Sequence, residues 1–213
     1  MPKRAIVLLS GGIDSATCLY LAKKQGARPF GLIFDYGQRH RREIISAKRI
    51  AQRAGAQFKL CKISFPWKGS SLLDKGLEIP KQSRGIPSTY VPARNIIFLS
   101  FALSYAEASG AKKVFIGANA RDFSGYPDCR PNFYRAFAAV AKIGLRRKDV
   151  RIATPLLHKS KAQIIKLGKS LGVPYELSWS CYRGAARPCG CCDSCRFRAR
   201  GFQQAGITDP LSK

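Results

Sequence analysis

Apolar positions follow two rhythms along this chain, one of strands and one of helices. Ala5-Ile6-Val7-Leu8-Leu9 is a continuous apolar run, which suits a strand buried on both faces over residues 4–9. Ala16, Leu19, Tyr20 and Leu21 then fall at helical spacing and predict a helix over 13–25, ended by Gly26. Pro29 to Asp35 predicts a second strand. Residues 39–54 predict a basic amphipathic helix with Ile44, Ile45, Ala47, Ile50 and Ala51 inward. Gln57 to Ile63 predicts a third strand. Ser64 to Val91 lacks periodicity and holds Pro66, Gly69, Gly76, Pro80, Gly85 and Pro87; a stretch this long in a compact domain is expected to be a mobile lid. Val91-Pro92-Ala93-Arg94-Asn95 opens an apolar helix, Ile96 to Ala108, with Pro92 suited to its first turn. Lys112 to Ala118 is a fourth strand, Asn132 to Arg146 a helix, and Val150 to Ala153 a short fifth strand. Ser160 caps a helix over Lys161 to Ser170, Gly172 stops it, and Phe197 to Gln204 predicts a short terminal helix. Strands alternate with helices throughout, so the expected fold class is α/β, a doubly wound parallel five-stranded sheet. Residues 1–177 are expected to form this domain, and 178–213 a small knot with a terminal helix packed on it.

The first strand–helix junction carries chemistry. Ser10-Gly11-Gly12-Ile13-Asp14-Ser15 joins the apolar strand to the helix. Two glycines let backbone approach a ligand closely, and the helix N-terminus points free N–H groups at an anion. Ser10 and Ser15 add hydroxyl donors. Asp14 is out of place beside a phosphate unless a metal ion lies between them, which favours a nucleotide with Mg²⁺ over bare phosphate. The nucleotide stretch is set at Leu9, Ser10, Gly11, Gly12, Ile13, Asp14, Ser15, Ala16, Thr17, Cys18 and Leu19. The spacing is neither GxxxxGK[ST] nor GxGxxG. The plain alternative is a capped helix after a glycine turn, with no ligand.

Charge adds a second consideration. With 38 Lys and Arg against 12 Asp and Glu, the formal net charge is +26. Anionic partners are one cause of such a balance and a proteome-wide basic bias is another. The basic residues are spread along the chain, so direct nucleic-acid binding is possible but not expected. No run of 18 apolar residues suggests a membrane span, and the N-terminus enters a strand directly; the expectation is a cytoplasmic protein.

Five of the eight cysteines, Cys181, Cys189, Cys191, Cys192 and Cys195, crowd into 15 residues. In a cytosolic chain this crowding means metal before disulfide. Cys181-x7-Cys189-x2-Cys192-x2-Cys195 supplies four thiolates, the set a structural zinc ion takes, at Zn–S distances of about 2.3 Å. Cys191 is left outside the set by its spacing. An iron–sulfur cluster is the rival occupant.

Taken together, Ser10 to Ser15, Asp35-Tyr-Gly-Gln-Arg-His40, Val91-Pro-Ala-Arg-Asn95, Gly117-x-Asn119, Asp122-x-Ser-Gly-Tyr-Pro-Asp-Cys-Arg130, Thr154-Pro-Leu156 and the cysteine knot resemble the 7-cyano-7-deazaguanine synthase (QueC) family. The resemblance runs in order along nearly the whole chain; Cys191 and the basic bias depart from it. It implies a Rossmann-like fold of the adenine nucleotide alpha hydrolase type and an ATP-dependent ligase. The implied substrates are 7-carboxy-7-deazaguanine, ammonia and ATP, with Zn²⁺ and Mg²⁺ as the metals and a homodimer as the assembly. Asp14 and Arg94 are then expected at the phosphates or the substrate carboxylate. Asn119, Asp122, Tyr126, Asp128 and Arg130 are expected around the base, with Asp122 or Asp128 accepting its paired N–H donors. The other classes are a tRNA-modifying adenylase and a zinc-ribbon nucleic-acid-binding module.

Overall fold

Alternation along β1 (Arg4–Leu8) sends Ala5 and Val7 to one face of a sheet and Ile6 and Leu8 to the other, and both faces are covered. The structure is a computed structural model that describes residues 3–82, 85–120 and 126–212. β1 pairs in parallel with β2 (Arg28–Asp35) on one side and β4 (Lys113–Phe115) on the other. β3 (Gln57–Lys62) and β5 (Arg151–Ala153) complete the sheet in the order β3-β2-β1-β4-β5. On one face α1 (Ile13–Lys24), α2 (Arg42–Arg53), α5 (Lys161–Ser170) and α6 (Asp193–Ala205) enclose Val7, Leu19, Ile50, Ile164 and Phe202. On the other, α3 (Arg94–Ser109) and α4 (Pro131–Gly144) cover Ile6, Leu32, Leu99 and Val114. The doubly wound parallel architecture is the expected one. Each large apolar side chain buried in it contributes about 1.5–3 kcal/mol.

The departures from expectation are local. Ile45 is 49% exposed. At 100° per residue the buried stripe of α2 runs through Ile44, Ala47, Ile50 and Ala51, and Ile45 falls beside it. α3 starts at Arg94, so Pro92 precedes the helix; between them Ala93 adopts left-handed backbone, φ 55°, which costs a non-glycine residue about 1–2 kcal/mol. β4 stops at Phe115 and not Ala118. At Gly117 the chain passes the start of α1 so closely that a Cβ would lie 2.8 Å from Ser15 N. α6 begins at Asp193, four residues early, because Cys192 occupies its N-cap and the polar Asp193-Ser194 turn carries no apolar signal. The α5 cap forms as read: Ser160 Oγ accepts from Gln163 N at 3.3 Å and Gln163 Oε1 accepts from Ser160 N at 2.9 Å.

The 64–91 stretch has no helix or strand among its described residues. Arg39 holds part of it, donating from its backbone N–H to Leu72 O at 2.7 Å and from its guanidinium to Leu77 O at 2.6 Å.

α1 and α5 touch through glycine. The Tyr175 hydroxyl lies 2.8 Å from Thr17 Oγ1 and donates to Ile164 O at 3.2 Å, beside Gly168. A Cβ on Gly168 would overlap that hydroxyl. Gly168→Ala is therefore expected to lower stability by about 1–3 kcal/mol through overpacking, which a thermal melt reads as a Tm several degrees lower. An unchanged melt would mean that the two helices separate freely.

Candidate active site

β1 and β4 are neighbours whose following segments depart on opposite sides of the sheet. This is the switch point at which doubly wound sheets bind ligands, outside the carboxyl ends of the strands. A cavity of about 980 Å³ lies there, with Ser10, Asp14, Arg94, Asn119, Tyr126 and Trp179 among its walls.

The Ser10 loop is built by backbone. Gly11 has φ +85°, and an added Cβ would meet Ala47 N at 2.7 Å and overlap the Glu43 carbonyl. Trp179 N donates to Gly11 O at 2.9 Å, so the chain before the cysteines clamps the turn. Ser15 Oγ accepts from Ser10 N at 3.2 Å and donates to Gly12 O at 3.1 Å. Leu9, Ser10, Gly12, Ile13, Asp14 and Ser15 line the cavity. Ala16, Thr17, Cys18 and Leu19 are fully buried within α1, and Thr17 Oγ1 donates to Ile13 O at 2.8 Å. Burial and then the Asp14 charge push the Cys18 thiol up.

Asp14 has a partner that sequence reading missed. Lys161 Nζ lies 2.7 Å from both carboxylate oxygens. Lys161 is the first residue of α5, and Ser160 as a helix cap was the available signal; only the fold brings it across 147 positions to Asp14. The pair places a cation and a carboxylate together at the edge of the Ser10 loop.

On the wall built by α3, Arg94 projects among phenols. Its Nη1 donates to Tyr36 Oη at 3.1 Å, and its guanidinium lies 5.6 Å from the Tyr36 ring centre. Tyr126 and Tyr182 face it as well, and the half-buried Glu43 lies near. Burial pushes Tyr36 up to about 12, with Arg94 opposing. The Tyr126 hydroxyl lies 2.9 Å from Thr89 Oγ1, which ties the 64–91 stretch to this wall. Tyr36, Glu43, Thr89 and Tyr182 carried no assignment from the sequence, although Tyr36 and Glu43 stand within or beside the Asp35–His40 motif.

The residues expected at the base divide. Asn119 lines the cavity, its Nδ2 donating to Lys159 O at 2.9 Å, and Tyr126 lines it too. Asp128 is buried, and its Oδ2 accepts from Asn95 N at 3.1 Å, so it caps α3 from a distance and is not among the cavity walls. Arg130 is exposed at the N-cap of α4. Asp122 lies outside the described residues.

Beside this crevice the four sulfurs of Cys181, Cys189, Cys192 and Cys195 lie within 4.8 Å of one another, with Cys189 Sγ 3.9 Å from Cys195 Sγ. Tetrahedral metal–sulfur bonds would set such pairs about 3.8 Å apart. Backbone N–H groups of Cys189 and Arg183 donate to Cys181 Sγ at 3.3 and 3.4 Å. The Cys192 and Cys195 thiols, then these N–H groups, hold Cys181 well below the ordinary thiol value. Three buried thiols, one half-buried thiol and a helix N-terminus form a set that fits a metal ion. Ile79 and Trp179 pack around it.

A family model described as Queuosine biosynthesis protein QueC matches residues 4–206. The chain belongs to this family. A 7-cyano-7-deazaguanine synthase of Trichodesmium erythraeum is 49% identical over 98% of this chain and 99% of that protein. One of Methylococcus capsulatus is 51% identical over 98% of this chain and 97% of its own. The fold is shared with an NMN synthetase of Francisella tularensis, at a TM-score of 0.53 and 16% identity, over 97% of this chain and 87% of that one. The likeness there is one of fold. Among the described residues no helix is long and apolar enough to cross a membrane.

The sulfur geometry makes a stoichiometric prediction. Cys192→Ser is expected to lose the bound metal and Cys191→Ser to keep it, as elemental analysis of each purified variant would report. The reverse result would move Cys191 into the ligand set.

Proposed function

We propose that this QueC-family chain converts 7-carboxy-7-deazaguanine and ammonia to 7-cyano-7-deazaguanine, a queuosine precursor, at the expense of ATP. The observation that carries the reading is the placing of a glycine-built loop and a half-buried arginine on walls of one crevice, in a chain matched to its family over residues 4–206.

A carboxylate is a poor electrophile. Transfer of a phosphoryl or adenylyl group from ATP to its oxygen makes that oxygen a leaving group, and ammonia then forms the amide. A second activation, at the amide oxygen, followed by its elimination leaves the nitrile. Both rounds use the same parts, so the protein's work is positioning and charge neutralisation. In this reading the N–H groups of Gly11, Gly12 and Asp14, with Ser10 and Ser15, cradle the phosphates. Lys161 offsets phosphate charge, and Asp14 would hold Mg²⁺, which would neutralise more of that charge. Arg94 meets the substrate carboxylate, Tyr126 stacks on the base, and Asn119 lies beside it. The base edge falls to Asp122, with Asp128 acting through the α3 cap and Arg130 outside the crevice.

The four cysteines are read as ligands of one zinc ion, which would hold residues 178–213 as a knot against the ATP-binding domain of residues 1–177; the 64–91 segment within that domain would act as a mobile lid. With no open ligand position the ion is structural. A homodimer is inferred from Phe101, Val140 and Ile143, which are exposed on α3 and α4, and light scattering should report twice the 23.5 kDa chain mass. A cytoplasmic location is inferred from the substrates and from thiols kept free for metal.

The test is ATP turnover with the carboxylated base and ammonium, with the nitrile followed by mass spectrometry. ATP consumed without the base, or only with tRNA, would overturn the reading. Asp14→Ala is expected to abolish turnover while leaving the melt within a degree or two of wild type, since Asp14 is only half-buried. Near wild-type turnover in that variant would remove Asp14 from the nucleotide site.

A further inference from the structure

We propose that Glu43 receives the ammonium co-substrate, binding it through the carboxylate and taking its proton beside the carboxyl group that Arg94 holds. The proposal rests on the reading above and deepens it.

Ammonium has no lone pair and cannot attack carbon until it loses a proton. The cavity is hostile to it, because Arg94 and Lys161 already bring positive charge there. A carboxylate is the one kind of side chain that both attracts this ion and accepts its proton. Among the described residues three acids line the cavity: Asp14, Glu43 and Asp193. Asp14 is engaged at both oxygens by Lys161, and Asp193 sits in the first turn of α6 beside the cysteines. Glu43 stands where the chemistry converges. Its backbone carbonyl abuts Gly11, so its side chain leaves from the edge of the phosphate loop. Tyr36 from beyond β2, Arg94 from α3 and Tyr182 from the segment ahead of α6 line the same cavity, with Arg42 next to Glu43 on α2. Among the described residues its carboxylate makes no hydrogen bond or ion pair within 4 Å.

Burial pushes the Glu43 carboxyl up to about 7, with Arg94 opposing. A base with that value is matched to proton transfer near neutral pH. Ammonium gives one proton to the carboxylate. The nitrogen lone pair then forms the C–N bond to the activated carbon, while the C–O bond to the leaving phosphate breaks and its electron pair stays on oxygen. Glu43 passes its proton to water and takes the second proton that the new C–N nitrogen must lose. Two protons leave ammonium in this amide-forming step and the other two leave when the amide becomes the nitrile; nothing is oxidised or reduced.

Glu43→Gln keeps the shape and removes the base. At pH 7 kcat/KM for ammonium is expected to fall by about 10²–10⁴-fold. In the variant it should then climb about tenfold per pH unit as free ammonia accumulates, whereas the wild type levels off above about 7. Hydroxylamine, which is neutral at pH 7 and needs no deprotonation before attack, should restore adduct formation in the variant to within a few-fold of wild type. Base-dependent ATP activation measured without ammonium should be equal in the two proteins. Wild-type ammonium kinetics in Glu43→Gln, or equal losses with ammonium and hydroxylamine, would overturn the proposal. An absence of base-dependent ATP activation in the wild type would instead overturn the functional reading on which it stands.

Discussion

The crevice depends on one backbone turn without a side chain. Gly11 holds a left-handed conformation, packs its α-carbon against the Glu43 carbonyl and Ala47 of α2, and offers its own carbonyl to Trp179. Any other residue would bring strain and a collision together. Through this contact the end of β1, the first turn of α2 and the segment leading to the cysteines are held in one place. The start of α1 is thereby aimed into the cavity, and Ser15 orders the turn from within.

Electrostatics explain why polar groups tolerate this setting. Lys161 meets Asp14, and the phenol of Tyr36 accepts from Arg94. Half-buried charge is retained where a partner accepts its hydrogen bonds, and each such pair fixes the orientation of a side chain on the cavity wall. The strain at Ala93 sits immediately before Arg94, which makes the aim of that arginine part of what the surrounding packing supports.

The cysteine knot is joined to the crevice by short range geometry. Trp179 Nε1 donates to Cys181 O at 2.8 Å while Trp179 N holds Gly11. Arg42 covers the Trp179 ring at 4.9 Å. Ordering of the four thiols therefore reaches the Ser10 loop within two residues of chain, and the knot is a wall of the site as well as a staple of the C-terminal segment.

Much of this was legible in the sequence because it is local. The continuous apolar run at residues 4–9, a glycine turn before an apolar helix, the Ser160 cap and the x2 spacing of cysteines each obey rules that span fewer than ten residues. Where local rules compete, the reading slipped. The end of β4 and the start of α3 were displaced by contacts with distant chain, α1 and Asp128, and the start of α6 by the Cys192 cap and a polar first turn that carries no apolar signal. The role of Asp128 shows the same limit, since an acid in a motif looks alike whether it meets a ligand or caps a helix 33 positions away. The sequence by itself determined the strand–helix alternation, the anion loop and the thiol set, because propensity and spacing act along the chain. Only the tertiary structure decided that Lys161 pairs with Asp14, that Arg94 lies among Tyr36, Tyr126, Tyr182 and Glu43, and that Trp179 clamps Gly11, because those contacts are set by the way the parallel strands bring their carboxyl ends to one edge.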